Sequence, residues 1–124
     1  MGEGYTIKHV DDFEEMEGSG NATWRLARKS LDGGSFGFNV VDIAPGGQIP
    51  EHNHTGDNQE EVYIVLDGRA TIITDGEEHE APAGTYLRAA PEVNRTIRND
   101  ADANVRALLI GVPVDSGYMP MPWG

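Results

Sequence analysis

Cysteine is absent from the 124-residue chain, which excludes disulfides, thiolate metal sites and a cysteine nucleophile. Long apolar runs are also missing. No stretch approaches the roughly 20 apolar residues of a spanning helix, and the N-terminus lacks a basic segment followed by an apolar one. Membrane insertion and export are therefore not expected, and the chain reads as cytoplasmic. Positive charge is scarce too: nine basic residues face 21 acidic ones, for a formal net charge of −12. Such a surface repels phosphate backbones and anionic lipid, so neither nucleic acid nor membrane is an expected partner. The acidity serves either solubility or life at high salt, where self-repulsion is screened. Glycine-rich phosphate loops, serine nucleophile elbows and basic-aromatic patches are absent as well.

What is present is a succession of short apolar or alternating runs separated by turn residues. Residues 22–31, with Trp24 and Leu26 alternating against polar neighbours, read as one strand ending at Asp32-Gly33-Gly34. Residues 36–43 (FGFNVVDI) read as the next, turned by Pro45-Gly46-Gly47. Further strands are expected over 62–66, 70–74, 77–80, 85–88, 95–98 and 105–112. Asp67-Gly68 and Asp75-Gly76 are hairpin signals. This rhythm predicts an all-β sandwich or barrel with no helix longer than two turns. Val10, Phe13 and Met16 allow one short N-terminal helix or turn capped by Asp11 or Asp12. The expected organisation is an N-terminal arm (1–20), a barrel (21–112) and a proline-rich arm (113–124). That last arm packs its Tyr118 and Trp123 on the barrel or reaches a second subunit.

The chemistry concentrates between Gly46 and Gly68. His52 and His54 are two apart, so on extended backbone both imidazoles face the same way. Glu61 opens the β-rich run EVYIVLDG. If the two segments pair, two imidazoles and a carboxylate converge, the donor set of open 2-His-1-carboxylate metal sites. Tyr63 lies on the same strand face as Glu61 and lines the expected pocket.

Gly46, His52, His54, Glu61 and Gly68 resemble the first sequence motif of the cupin family, with six residues between His54 and Glu61 where that motif has three or four. The longer loop leaves Glu60 as an alternative carboxylate. Glu61 keeps the six-residue step to Gly68. Gly84 and Asn99 match the ends of the family's second motif. Between them Ala90, Glu92 and Arg95 replace its proline, glycine and ligand histidine. The resemblance covers about residues 36–112. It implies a double-stranded β-helix or jelly-roll barrel, a divalent metal (Fe, Mn, Ni or Zn) on His52, His54 and Glu61, a small-molecule ligand and a homodimer. Arg95 cannot be a ligand, because a guanidinium has donors only. It either pairs with an acid such as Glu92 or Glu61, and pairing with Glu61 makes the site vestigial, or it stands at the pocket mouth as a clamp for an anionic substrate. Two functions follow: a metal-dependent oxygenase or isomerase, or a metal-free ligand-binding barrel.

Overall fold

The computed structural model describes residues 4–124. Its strands are β1 (Glu15–Glu17), β2 (Ala22–Arg25), β3 (Gly37–Ile43), β4 (Gln59–Asp67), β5 (Arg69–Thr74), β6 (Glu77–Pro82), β7 (Tyr86–Ala89), β8 (Arg95–Arg98) and β9 (Val105–Pro113). They form two antiparallel sheets, β1-β2-β3-β9-β4-β7 and β6-β5-β8. Segment 48–54 extends the smaller sheet through bridges from Gln48 to Arg98 and from His52 to Arg95. The result is the expected jelly roll.

Strand alternation assigns the two faces of the large sheet. Register sets Ile43 opposite Val105, Val41 opposite Ala107 and Asn39 opposite Leu109, and Val65 opposite Ala107, Tyr63 opposite Leu109 and Glu61 opposite Gly111. These residues all point into the barrel. Along each strand the inner face passes from Ile43, Val65 and Val105 in the buried core to Asn39, Glu61 and Gly111 at the other end. Ile49, Ile72 and Ile97 close the core from the smaller sheet; fully burying such a side chain stabilises by about 1.5–3 kcal/mol. The polar site therefore sits at one end of an apolar interior.

Three local expectations are corrected. Residues 22–31 are not one strand: β2 stops at Arg25 and a one-turn helix, α1, occupies Ala27–Ser30. Ala27, Arg28 and Lys29 are good helix formers, and this preference overrides a short alternating pattern. The N-terminal helix is a single 3-10 turn, Val10–Asp12, and His9 caps it by accepting from the Asp11 N–H. Asp11 and Asp12 lie inside the turn, and Met16 belongs to β1. Only Asp75-Gly76 makes a hairpin, joining β5 to β6, with φ of 48° and 83°. Asp67-Gly68, beside a register shift between Val65 and Asp67, instead carries the chain from one sheet to the other. In the single chain Tyr118 and Trp123 of the proline-rich arm are 76% and 86% exposed.

Candidate metal centre

His52 and His54 stand on the extended segment that crosses the barrel end, flanked by the exposed Asn53. The extra loop residues form a turn in which the Asn58 N–H donates to the His54 carbonyl at 2.7 Å, and β4 starts directly after it. Strand parity then decides between the two glutamates. Glu61 points inward, while Glu60 points outward and pairs with Arg88 at 3.1 Å.

The Nε2 atoms of His54 and His52 lie 3.1 and 3.6 Å from Glu61 Oε1. One ligand atom from each of the three residues falls within 4.8 Å of the others, so the group can hold a metal ion. Each imidazole is also anchored from behind. His52 Nδ1 donates to the Pro50 carbonyl at 2.9 Å. His54 Nδ1 donates to Asp57 at 2.9 and 3.1 Å. Neither acceptor carries a proton to give, so each ring donates from Nδ1, and the tautomer this selects is the one whose Nε2 lone pair is free for a metal ion.

Gly111 makes room for the carboxylate. A Cβ there would lie 2.7 Å from Gln59 Oε1, 3.3 Å from Glu61 Cγ and 3.4 Å from Glu61 Oε2. The donors open onto a cavity of about 270 Å³ walled by Trp24 and Leu109, with the amides of Asn39 and Gln59 beside them. Trp24 and Asn39 come from β2 and β3, and only the sheet register brings them here. Asp57, three residues after His54, was the supporting residue most accessible to sequence reasoning.

Arg95 and Tyr63 lie beneath the site rather than at its mouth; neither lines this cavity, and both are fully buried. Arg95 donates to Glu61 Oε1 from Nη2 (2.8 Å) and Nε (3.2 Å), and to the carbonyls of Val93 (2.7 Å) and Ala90 (3.5 Å) from Nη1. Tyr63 donates to the same Glu61 oxygen at 3.3 Å. Burial pushes the Glu61 carboxyl up, but His52 and Arg95 outweigh it and hold it below its ordinary range. Glu61 raises the His52 imidazole against the opposing effect of burial. Burial, reinforced by the Glu61 charge, raises the Tyr63 phenol far above its usual value. Tyr63 is thus a neutral donor.

A cupin-domain family model matches residues 39–111. No curated protein sequence matches the chain significantly. Among solved structures, a cupin protein from Bacteroides fragilis is similar at 27% identity and TM-score 0.70, over 89% of this chain and 92% of that one. A predicted oxalate decarboxylase from Thermotoga maritima is similar at 15% identity and TM-score 0.76, over 88% and 100%. A cupin-superfamily sugar phosphate isomerase from Silicibacter pomeroyi is similar at 19% identity and TM-score 0.73, over 88% and 76%.

Proposed function

Because this chain belongs to the cupin-domain family, we propose that it is a small-molecule cupin holding a divalent transition metal through His52, His54 and Glu61. The observation that carries this reading is the direction of three lone pairs. With both Nδ1 atoms committed to acceptors, the neutral rings direct two Nε2 lone pairs toward a carboxylate oxygen, three donors converging as a divalent cation requires. Fe, Mn, Ni and Zn all suit this donor set.

A bound divalent ion supplies Lewis-acid polarisation of a substrate oxygen and, for a redox-active metal, oxygen chemistry. The chain's own residues do the rest. His52, His54 and Glu61 leave the cavity side of the centre open. Trp24 and Leu109 exclude water, and the Asn39 and Gln59 amides orient polar substrate groups. The reading extends to an isomerase or oxygenase acting on an anionic substrate. Arg95 attracts such a substrate by charge from below, since its donors are already engaged. Structurally similar proteins described as a sugar phosphate isomerase and a predicted oxalate decarboxylase support the anionic class.

The Arg95–Glu61 contact favours a second reading, in which the guanidinium replaces the metal and the barrel binds its ligand without one. Elemental analysis separates the two readings, using wild type, His52→Ala and Arg95→His after chelation and re-equilibration with Mn, Fe(II), Ni or Zn. Near-stoichiometric metal in the wild type, lost in His52→Ala, supports the centre. Metal absent from the wild type and gained in Arg95→His supports the metal-free barrel.

The proposal includes a homodimer, supported by the apolar outer face of the large sheet. Ile110, Val112 and Phe36 there border a cavity of about 700 Å³ with Tyr118 of the tail.

A further inference from the structure

We propose that Arg95 makes metal binding here conditional on a small anion, so that the pocket holds a metal together with a carboxylate-bearing ligand rather than the metal alone. The inference rests on the metal-centre reading and deepens it to a substrate class.

The argument is charge balance in a buried place. Neutral imidazoles contribute no charge, and the single negative charge of Glu61 is already matched by Arg95 Nη2 at 2.8 Å. A divalent ion among His52, His54 and Glu61 therefore brings two positive charges beside a guanidinium that is 0% exposed and cannot shed its proton. Asp57 adds one negative charge behind His54, but half of its side chain is exposed and solvent screens it. Glu60 is turned outward onto Arg88. The loaded centre keeps an excess of positive charge, which costs most where the dielectric is low.

Arg95 cannot swing away to relieve this repulsion. Val93 and Ala90 hold Nη1, and its backbone is bonded to His52 in both directions. A neutral imidazole at this position would carry one positive charge fewer. The missing negative charge has to come from the cavity, where Glu61 is the one acidic side chain in the lining. The Asn39 amide and the second N–H of the Gln59 amide, whose first goes to Asp57 at 3.1 Å, offer donors to an anion, and the flanking Trp24 and Leu109 side chains favour a compact, partly apolar one. A small 2-oxo or 2-hydroxy acid meets these demands, since its two adjacent oxygens complete a metal's open positions while its charge offsets Arg95.

The test is a Co(II) titration of metal-free protein followed by visible absorption, at fixed pH and ionic strength, in perchlorate and in formate. Formate chelates free Co(II) too weakly to account for a large change. Wild type is expected to bind about tenfold or more tightly in formate. Arg95→Gln, neutral yet able to donate to the Val93 carbonyl, is expected to bind more tightly than wild type in perchlorate and to respond little to formate. Arg95→Lys, which keeps the charge, retains the response, and Arg95→Met serves as the neutral variant if Arg95→Gln does not fold. Equal wild-type affinity in the two media overturns the coupling and leaves the metal centre standing, and so does a neutral variant that responds as wild type does. No Co(II) uptake by wild type or neutral variant in either medium overturns the metal centre and the coupling with it.

Discussion

His52 and Arg95 exchange both backbone hydrogen bonds, His52 N–H to Arg95 carbonyl at 3.1 Å and Arg95 N–H to His52 carbonyl at 2.9 Å. Directly opposed residues of an antiparallel pair project to the same face. This one bridge therefore sends the first histidine and the guanidinium into the barrel together, where both meet Glu61. The position at which a further ligand would complete the centre is filled by a cation tied to the centre's own first ligand.

The Arg95–Glu61 pair should dominate the stability of the metal-free protein. Glu61→Gln leaves a buried guanidinium without its counter-charge and is expected to cost about 3–5 kcal/mol. Replacing the pair together, Glu61→Leu with Arg95→Met, should cost clearly less than the two single changes added. Denaturant unfolding of the full cycle measures the coupling, and additive single effects would show that the two side chains do not depend on each other.

Asp57 acts on the candidate centre through His54, and it also accepts from the Gln59 amide at 3.1 Å. Asp57→Ala removes the acceptor that fixes the ring's Nδ1–H, at 2.9 Å, and is expected to weaken metal affinity about 10- to 100-fold. Its exposed loop position limits the stability change to about 0.5 kcal/mol. Unchanged metal affinity in a competition titration would refute the supporting role.

Much of this site can be read from the chain alone, and the reason is local. Two histidines on alternate positions of extended backbone must share a face, whatever they pair with, and Gly46 (φ 80°) and Gly68 (φ 83°) sit where the backbone turns left-handed. The choice between Glu60 and Glu61 depended on how six loop residues fold. A turn closing at Asn58 sets the parity of β4, and spacing alone cannot reveal it. The place of Arg95 depended on register between two sheets. Its chemistry as a donor was evident from its identity, but its burial under Glu61 was not. Trp24, Asn39 and Gly111 were invisible for the same reason: residues far apart in sequence become neighbours only through the β2-β3-β9-β4 order.

On the outer face, Asp42 accepts from Arg25 at 2.7 Å and from Arg106 at 2.8 and 3.0 Å. Burial raises its carboxyl, but the hydrogen bonds from Arg106 and Arg25 outweigh that and lower it from 3.8 to about 2. A carboxyl lowered by folding contributes stability that is fully present above its unfolded value and lost as pH falls through its folded value. The stability difference between wild type and Asp42→Asn should therefore be constant above about pH 5, on the order of 1–2 kcal/mol, and shrink toward zero between about pH 4 and pH 2. A difference independent of pH over that range would mean that the two arginines do not hold the carboxylate.

The outer face of the large sheet also tests the assembly. Val62 pairs with Ile110 and Ile64 with Leu108 in register, and Phe38 sits opposite Ile110 on the other side, so apolar side chains run across three adjacent strands. Phe36, Leu66 and Val114 are 47%, 48% and 53% exposed. Monomers rarely leave contiguous apolar patches of more than a few hundred Å² open to water, and a second copy presents the same patch about a twofold axis. Ile110→Lys places a charge at the centre of this face without touching the inner one. It should convert a dimer into a monomer by light scattering while leaving the far-ultraviolet circular dichroism of the strands unchanged. Wild-type protein that is monomeric at every accessible concentration would refute the dimer. In that case the strands' outer apolar residues would serve only to hold the sheet together through cross-strand pairs, each worth about 0.2–1 kcal/mol.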